Sequence, residues 1–135
     1  MKYWLVKQEP ESYSFEAFQA DGKTDWTGVR NYTARNNLRE MKAGDKVLYY
    51  HSGGERAVVG HAKVSKVAFP DPTAEDETWS AVELEAGKAV KNPVTLTAIK
   101  ANPKLANIAL VKLSRLSVVP VTKDEYDEII AMSKG

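Results

Sequence analysis

Residues 46–69, which read KVLYYHSGGERAVVGHAKVSKVAF, decide the fold. Segments 46–51 and 57–69 are rich in β-branched and aromatic residues, a composition that favours strands. Between them, residues 52–55 read SGGE and supply the glycines that a tight hairpin connection uses. This stretch therefore predicts a β-hairpin of two antiparallel strands.

Further strands and helices are predicted on both sides of the hairpin. A good capping residue ahead of apolar residues at helical spacing marks each helix. The caps are Ser14, Asn31 and a capping-box pattern from Thr122 to Glu125. The predicted strands are 2–6 (ending near Lys7), 46–51, 57–69, 79–85 and 116–121, and the predicted helices are 15–20, 32–41 and the segment after Thr122.

These elements together predict an α+β fold. Many short strands with helices packed on one side or end are typical of a curled sheet or a small barrel. Segment 93–113 stays open between helix and loop, because Pro103 interrupts its helical spacing. The chain has 135 residues, 43% of them hydrophobic, which is enough for one core and short for two. We therefore expect one domain over residues 1–135.

The composition excludes several classes of site. The chain has no cysteine, which excludes disulfides and thiolate metal ligands, and its two histidines are too few for a typical zinc site. It lacks the glycine-rich phosphate loop, the nucleophile elbow and the metalloprotease helix motif. We expect no metal, no cofactor and no catalytic residue. Lys7 breaks the first apolar run before it can form a signal peptide or a membrane span, so we expect a cytoplasmic protein without membrane contact.

Charge is distributed unevenly along the chain, although the net charge is only +1. Residues 26–66 contain eight basic and three acidic side chains, so the remainder of the chain carries a net charge of −4. Such an uneven surface suits a polyanion, because each neutralised phosphate releases counterions. A solvated charged face is the alternative interpretation.

The densest group of candidate binding residues lies between Trp26 and Asn36. It combines aromatic rings that stack on bases, amides that hydrogen-bond base edges and arginines that hold phosphates. Arg35 and Arg39 are four residues apart on a predicted helix and share one face. The group predicts a nucleic-acid site. For Trp26 itself, core packing is an equally weighted alternative.

Two further positions extend the candidate site. Ser52 follows an aromatic strand at the hairpin, where its hydroxyl or backbone amide is placed to contact a base edge. Trp79 starts a strand after an acidic loop, and we expect it to face Trp26 as the second wall of an aromatic clamp. Residues 49–51 are interpreted as core or cross-strand residues.

Lys7 and Glu9 form the one candidate acid–base pair in the sequence. Alternate strand positions place both side chains on the same side of the sheet. A surface ion pair is the commoner explanation of this spacing.

Several blocks of the sequence, taken together and in order, resemble the signature blocks of the EVE-domain family. They extend over nearly the whole chain, which makes the combination far more specific than any single block. The blocks are YWLVKQEP at 3–10, Trp26 to Asn36, MKAGD at 41–45, YHS at 50–52, PDPT at 70–73 and RLSVVPV at 115–121.

This resemblance implies a PUA-like fold, which is a curled β-barrel with flanking helices. It also implies recognition of a modified base, with modified cytosine in DNA as the favoured ligand. His61 and Gln8 depart from the family pattern, which usually has an aliphatic and a small residue at these positions. The implied base-binding residues are Trp26, Asn31, Tyr32, Ser52 and Trp79, and the implied phosphate-binding residues are Lys7, Arg30 and Arg35, to which the shared helix face adds Arg39.

The sequence leaves three functions open. The favoured one is a binding module, expected to be a monomer, whose partner is nucleic acid carrying a modified base. The second is an RNA-binding module, because PUA-like domains often bind RNA. The third is an amidohydrolase of the ASCH type, a neighbouring PUA-like group, which here would use Lys7 and Glu9.

Overall fold

The computed structural model describes all 135 residues, from Met1 to Gly135. The strands are β1 (Tyr3–Gln8), β2 (Lys23–Trp26), β3 (Lys46–His51), β4 (Ala57–Pro70), β5 (Ser80–Thr95) and β6 (Val118–Val121). The helices are α1 (Pro10–Tyr13), α2 (Phe15–Asp21), α3 (Tyr32–Glu40), α4 (Leu96–Ala101), α5 (Ala109–Lys112) and α6 (Lys123–Lys134), with a 3₁₀ turn at Pro103–Leu105.

All six strands belong to one sheet, in the order β2-β5-β4-β3-β1-β6. The predicted hairpin is confirmed, because β3 and β4 are paired in antiparallel fashion. β1 runs parallel to β3, and every other neighbouring pair is antiparallel. The register between β4 and β5 shifts at four places, and such bulges bend and twist a strand. The expected α+β fold with a curled sheet is therefore confirmed.

The sheet carries a hydrophobic core on each of its faces. Side chains alternate along β1, so Trp4 and Val6 enter the first core while Leu5 enters the second. Helices α2 and α3 cover the first core, with Phe18 of α2 fully buried in it. Helices α4, α5 and α6 cover the second core. Trp26 belongs to the first core, which therefore reaches the candidate site.

Gly60 in β4 lies directly against the ring of Phe15 at the start of α2. A Cβ atom at position 60 would lie 2.1 Å from Phe15 Cζ, which is far inside a van der Waals contact. The glycine therefore lets the first turn of α2 approach the sheet. Phe15 N also donates to His51 Nε2 at 3.1 Å, which ties the same helix to the end of β3.

The three predicted helix caps are confirmed. Ser14 and Asn31 each accept from the backbone amide three residues later, at 3.1 and 3.0 Å. Thr122 and Glu125 form the predicted capping box of α6. These bonds satisfy amide groups that have no partner within the helix.

The observed elements differ from the predicted ones at three places. The sequence pattern does not predict α1 or β2, because each is only four residues long. β5 continues to Thr95, since pairing with β4 holds a segment that contains Gly87 and Pro93. Segment 93–113 contains the end of β5, α4, the 3₁₀ turn and α5, and Pro103 starts the turn. None of the helices has the length and hydrophobicity that crossing a membrane requires.

Candidate functional site

Trp26, the last residue of β2, lies at the border between the first core and the surface. Only 5% of its surface is exposed, and its ring packs edge-on against Tyr49 with 5.7 Å between the ring centroids. A cavity of about 170 Å³ lies beside it. We call it the Trp26 cavity, and its lining consists of Gln8, Tyr13, Thr24, Asp25, Trp26 and Thr27. Trp26 is therefore both a residue of the first core and part of the wall of this cavity.

Polar groups without protein partners border the Trp26 cavity. The side chains of Asp25 and Thr27 make no hydrogen bond or ion pair within the chain, and neither does the Trp26 indole N–H. Tyr13 Oη donates to Asp21 Oδ2 at 2.6 Å, and a hydrogen bond from the Thr24 side chain partly offsets the effect of burial and Asp21, which raise the pKa of Tyr13. Both donors and acceptors are therefore available to a planar polar ligand.

A second feature, at the start of α3, is a surface stack of two aromatic rings and two guanidinium groups. The rings of Tyr32 and Trp79 are nearly parallel, with centroids 5.0 Å apart. The Arg30 guanidinium lies 5.6 Å from the centre of the Trp79 ring, and the Arg35 guanidinium lies 5.0 Å from the centre of the Tyr32 ring. We call these four residues the arginine–aromatic stack. It is open to solvent, because 62% of Tyr32 is exposed.

Asp71 fixes the loop between Trp26 and α3. Its buried carboxylate accepts from Gly28 N at 2.8 Å, from Arg30 Nη1 at 3.0 Å, and from the amide and hydroxyl of Thr73, both at 2.7 Å. Burial alone would raise the pKa of this carboxyl, but the hydrogen bonds from Thr73, Gly28 and Arg30 outweigh it and lower the pKa to about 2. Asp71 is therefore ionised at neutral pH and holds Arg30 in one position.

Arg35 and Arg39 extend from one face of α3, as predicted, towards the loop before β5. Both donate to the Thr78 carbonyl oxygen, at 3.1 and 2.9 Å. Arg35 also makes two bonds to Asn36 Oδ1, and Arg39 donates to Ser80 Oγ at 2.9 Å. A guanidinium has five N–H donors, so Arg35 keeps two of them free and Arg39 keeps three. Both side chains are held in place and still have donors for an anion.

Asn31, Ser52 and Lys7 are not among the residues that line the Trp26 cavity. Asn31 uses its side-chain oxygen to cap α3. Ser52 N donates to Gln8 O at 3.0 Å, where β1 ends. Lys7 lies on the opposite face of the sheet from Gln8, where its Nζ donates to Ser114 O at 2.9 Å and burial lowers its pKa.

Two predicted pairings are not formed. Trp79 does not face Trp26, because its ring stacks on Tyr32 while Trp26 packs into the first core. The predicted aromatic clamp is therefore wrong. Lys7 and Glu9 make no ion pair, because Lys7 is directed towards the segment before β6.

The basic segment 26–66 is partly neutralised by acidic residues that follow it in the chain. These acids all lie within residues 71–85, on β5 and the loop before it. The ion pairs are Arg30–Asp71 at 3.0 Å, Lys63–Glu85 at 3.4 Å and Lys66–Glu83 at 3.9 Å. The uneven charge along the sequence therefore cancels in part across the fold, whereas Arg35 and Arg39 have no carboxylate partner.

Sequence reasoning missed the roles of Asp25 and Asp71. Asp71 lies within a recognised block, and its spacing to Thr73 is typical of a local turn. The sequence around Asp71 does not show that its carboxylate also accepts from Gly28 and Arg30, more than forty residues earlier in the chain. Such long-range partners become visible only in the folded structure.

A family model described as "EVE domain" matches residues 2–132. The chain belongs to the EVE-domain family. The relatives of this EVE domain include thymocyte nuclear protein 1 of Gallus gallus, 33% identical over 166 residues, and that of Homo sapiens, 32% identical over 166 residues. Both alignments cover 98% of this chain, and they cover 69% and 74% of the two relatives.

Solved structures of similar proteins have the same fold. A crystal structure from Agrobacterium tumefaciens has 47% identity and a TM-score of 0.96, covering 98% of this chain and 93% of that chain. Human THYN1, in complex with 5-methylcytosine containing DNA, has 31% identity and a TM-score of 0.93, covering 100% and 99%. An ASCH protein from Zymomonas mobilis, at 12% identity and a TM-score of 0.62 over 98% and 99%, shares the fold alone. The PUA-like fold is therefore confirmed.

Proposed function

We propose that this EVE domain binds a modified cytosine base of DNA in the Trp26 cavity and performs no chemistry on it. The observation that carries the proposal is the Trp26 cavity, whose lining combines the aromatic wall of Trp26 with Asp25 and Thr27, two residues whose side chains make no hydrogen bond within the chain. The complex of human THYN1 with 5-methylcytosine containing DNA supports the same class of ligand, since that chain matches this one along its full length.

The size and chemistry of the Trp26 cavity suit one single-ring base. A cavity of about 170 Å³ leaves room for a single-ring base, with its sugar and phosphate outside. Asp25 offers an acceptor for the 4-amino group of cytosine, and Thr27 offers a hydroxyl that donates or accepts. A base in this cavity has left its own stack, so the ligand is a flipped or unpaired nucleotide.

The arginine–aromatic stack and Arg39 supply the contacts to the flanking backbone. Arg30 and Arg35 each keep two N–H donors free, and their positions are already fixed by hydrogen bonds. Donors that are ordered in advance lose little side-chain entropy when a phosphate binds. Tyr32 and Trp79 are assigned to the flank as well, where an exposed ring can stack on a neighbouring base.

Asp25→Ala is expected to remove the preference for 5-methylcytosine over thymine. The two bases share the 5-methyl group, but thymine has a carbonyl oxygen where cytosine has its amino donor, and a carboxylate repels that oxygen. A hydrogen bond to a charged group contributes about 1.5–3 kcal/mol, so affinity for 5-methylcytosine should fall roughly ten- to hundredfold. Fluorescence anisotropy with single-stranded oligonucleotides that differ at this one base measures the change.

Glu16→Ala is the matched control for Asp25→Ala. It also removes one exposed carboxylate, from the first turn of α2, and Glu16 does not line the Trp26 cavity. The control should keep the preference of the unmodified chain. If Asp25→Ala keeps it too, the base does not contact Asp25 and its placement in this cavity is wrong.

Arg35→Gln is expected to lower the affinity for modified and unmodified oligonucleotides by the same factor. A backbone contact carries no information about the base, and losing one phosphate contact should reduce the magnitude of the salt slope by about one. Affinities over a salt series, with Lys134→Gln as a control at the end of α6, measure both effects. If Arg35→Gln loses the preference for modified over unmodified oligonucleotides, the stack and not the Trp26 cavity reads the base.

Matched RNA oligonucleotides in the same series test the RNA-binding alternative.

The amidohydrolase alternative would use Lys7 and Glu9. The position of Lys7 does not favour this alternative. Lys7 Nζ is bound to the Ser114 carbonyl oxygen and lies across the sheet from Gln8, which lines the Trp26 cavity. Release of a product from modified nucleosides, abolished by Glu9→Gln, would overturn the proposal that no chemistry takes place. Several properties of the chain stay predictions. These are the single domain, the monomeric state, the cytoplasmic location and the base contacts of Asn31 and Ser52.

A further inference from the structure

A second cavity, of about 360 Å³, lies on the face of the sheet opposite the first core. His61 projects to this face from β4 and contacts Tyr126, a residue of the second core. The same histidine is one of the two departures from the family pattern noted in the sequence. We call this space the His61 cavity, and its polar lining residues are Lys46, His61, Lys63, Glu85 and Tyr126.

His61 has one ring nitrogen free for a ligand. The Tyr126 hydroxyl lies 3.2 Å from Nδ1, and Nε2 has no partner within the chain. When the hydroxyl donates to Nδ1 of the neutral ring, the proton is on Nε2, which is then a free donor. Burial and the nearby Lys46 ammonium lower the pKa of His61. On α6, Asp127 is paired with Lys123 at 2.8 Å.

Positive charge in the His61 cavity exceeds negative charge. Glu85 is the only carboxylate among the lining residues, and it is paired with Lys63 at 3.4 Å and with Lys23 at 3.6 Å. Lys46 has no carboxylate partner, and its Nζ lies 5.8 Å from the centre of the Tyr126 ring. The cavity therefore combines an uncompensated ammonium with an imidazole donor, which is an environment that favours an anion.

We propose that the His61 cavity binds a phosphate group, held by His61 Nε2 and by the ammonium group of Lys46. Phosphate oxygens accept from both kinds of donor, and the charge on one partner strengthens each bond. The phosphate group belongs either to a nucleic-acid backbone or to a small phosphate ester. This site is independent of the Trp26 cavity, because the two lie on opposite faces of the sheet.

An NMR pH titration of the two histidine rings tests the proposal directly. Spectra are recorded in chloride and in inorganic phosphate at matched ionic strength. Bound phosphate should raise the pKa of His61 by about one unit or more, because a nearby anion favours the protonated ring. His51 is the internal control, since its Nε2 accepts from Phe15 N and its pKa should not respond.

Lys46→Gln separates a phosphate site from a general salt effect. Without phosphate, this variant should have a higher His61 pKa, because one repelling cation has been removed. It should also lose the response to phosphate. Lys112→Gln, which removes an exposed lysine at the end of α5, is the matched control and should keep both the pKa and the response. An unchanged His51 signal checks that each variant is folded.

Repeating the titration with different phosphate compounds distinguishes the two sources of the phosphate group. A response to inorganic phosphate and to deoxycytidine monophosphate supports a site for small phosphate compounds. A response only to an unmodified DNA duplex supports a backbone contact. If none of these moves the His61 pKa, or if Lys46→Gln responds like the unmodified chain, the proposal is wrong. None of these outcomes tests base binding in the Trp26 cavity.

Discussion

Trp26→Ala is expected to lower the free energy of unfolding by about 3–5 kcal/mol, as large-to-small changes of buried aromatic residues do. The ring packs in the first core and meets Tyr49 edge-on at 5.7 Å. Its removal leaves a void between β2 and β3, where the hydroxyl of Tyr49 is already committed to the Tyr13 carbonyl oxygen. Urea titration measures the effect as a lower midpoint with an unchanged slope.

Trp79→Ala is the control for this experiment. Its ring lies in the surface stack, where a pair of aromatic rings contributes about 0.5–1.5 kcal/mol beyond the area it buries. We therefore expect a clearly smaller loss than for Trp26→Ala. Equal losses in the two variants would contradict the division into a core tryptophan and a surface tryptophan. Binding of Trp26 variants should be compared only under conditions in which they are folded.

Asp71→Ala is expected to lower the free energy of unfolding by about 3 kcal/mol, since several hydrogen bonds to one charged group are lost together. Gly28 N, Arg30 and Thr73 all donate to this buried carboxylate. Without it, the loop from Trp26 to α3 loses its anchor, so DNA affinity should fall as well. Chemical denaturation and anisotropy measure the two losses. Asp76→Ala, which removes an exposed carboxylate from the β4–β5 loop that also contains Asp71, should have a much smaller effect on both.

The contribution of Asp71 should also depend on pH. Its pKa is lowered from 3.8 to about 2 in the folded chain, so the folded state binds fewer protons than the unfolded state in this range. The stabilisation is therefore complete above about pH 4 and is lost as the pH falls towards 2. The difference in stability between the unmodified chain and Asp71→Ala should shrink over this interval. A constant difference would mean that the carboxylate is not the stabilising group.

Local features of the sequence predicted much of the fold. The β3–β4 hairpin and the caps at Ser14, Asn31 and Thr122 depend on neighbouring residues, so sequence patterns reveal them. β2 was not predicted because its four residues form a strand only by pairing with β5. The end of β5 is similar, since long-range pairing with β4 offsets the weak strand preference of Gly87 and Pro93.

The candidate site was harder to predict, because its geometry joins distant parts of the chain. The types of side chain around Trp26 indicated base and phosphate contacts, but not which ring would be buried. The sequence does not show that the Trp79 ring stacks on Tyr32, because this contact forms only in the folded chain. Asp71 shows the same limit, because its two partners in the loop before α3 are more than forty residues away.

The position of β1 in the sheet has a consequence for how the chain folds during synthesis. β1 lies between β3 and β6, and Val6 pairs with Val118, more than a hundred residues later. Until β6 has left the ribosome, one edge of β1 is unpaired and its apolar residues have only part of their cover. Closing such long loops slows folding and prolongs exposure to aggregation. The nascent chain is therefore expected to complete its sheet only after β6 has been synthesised.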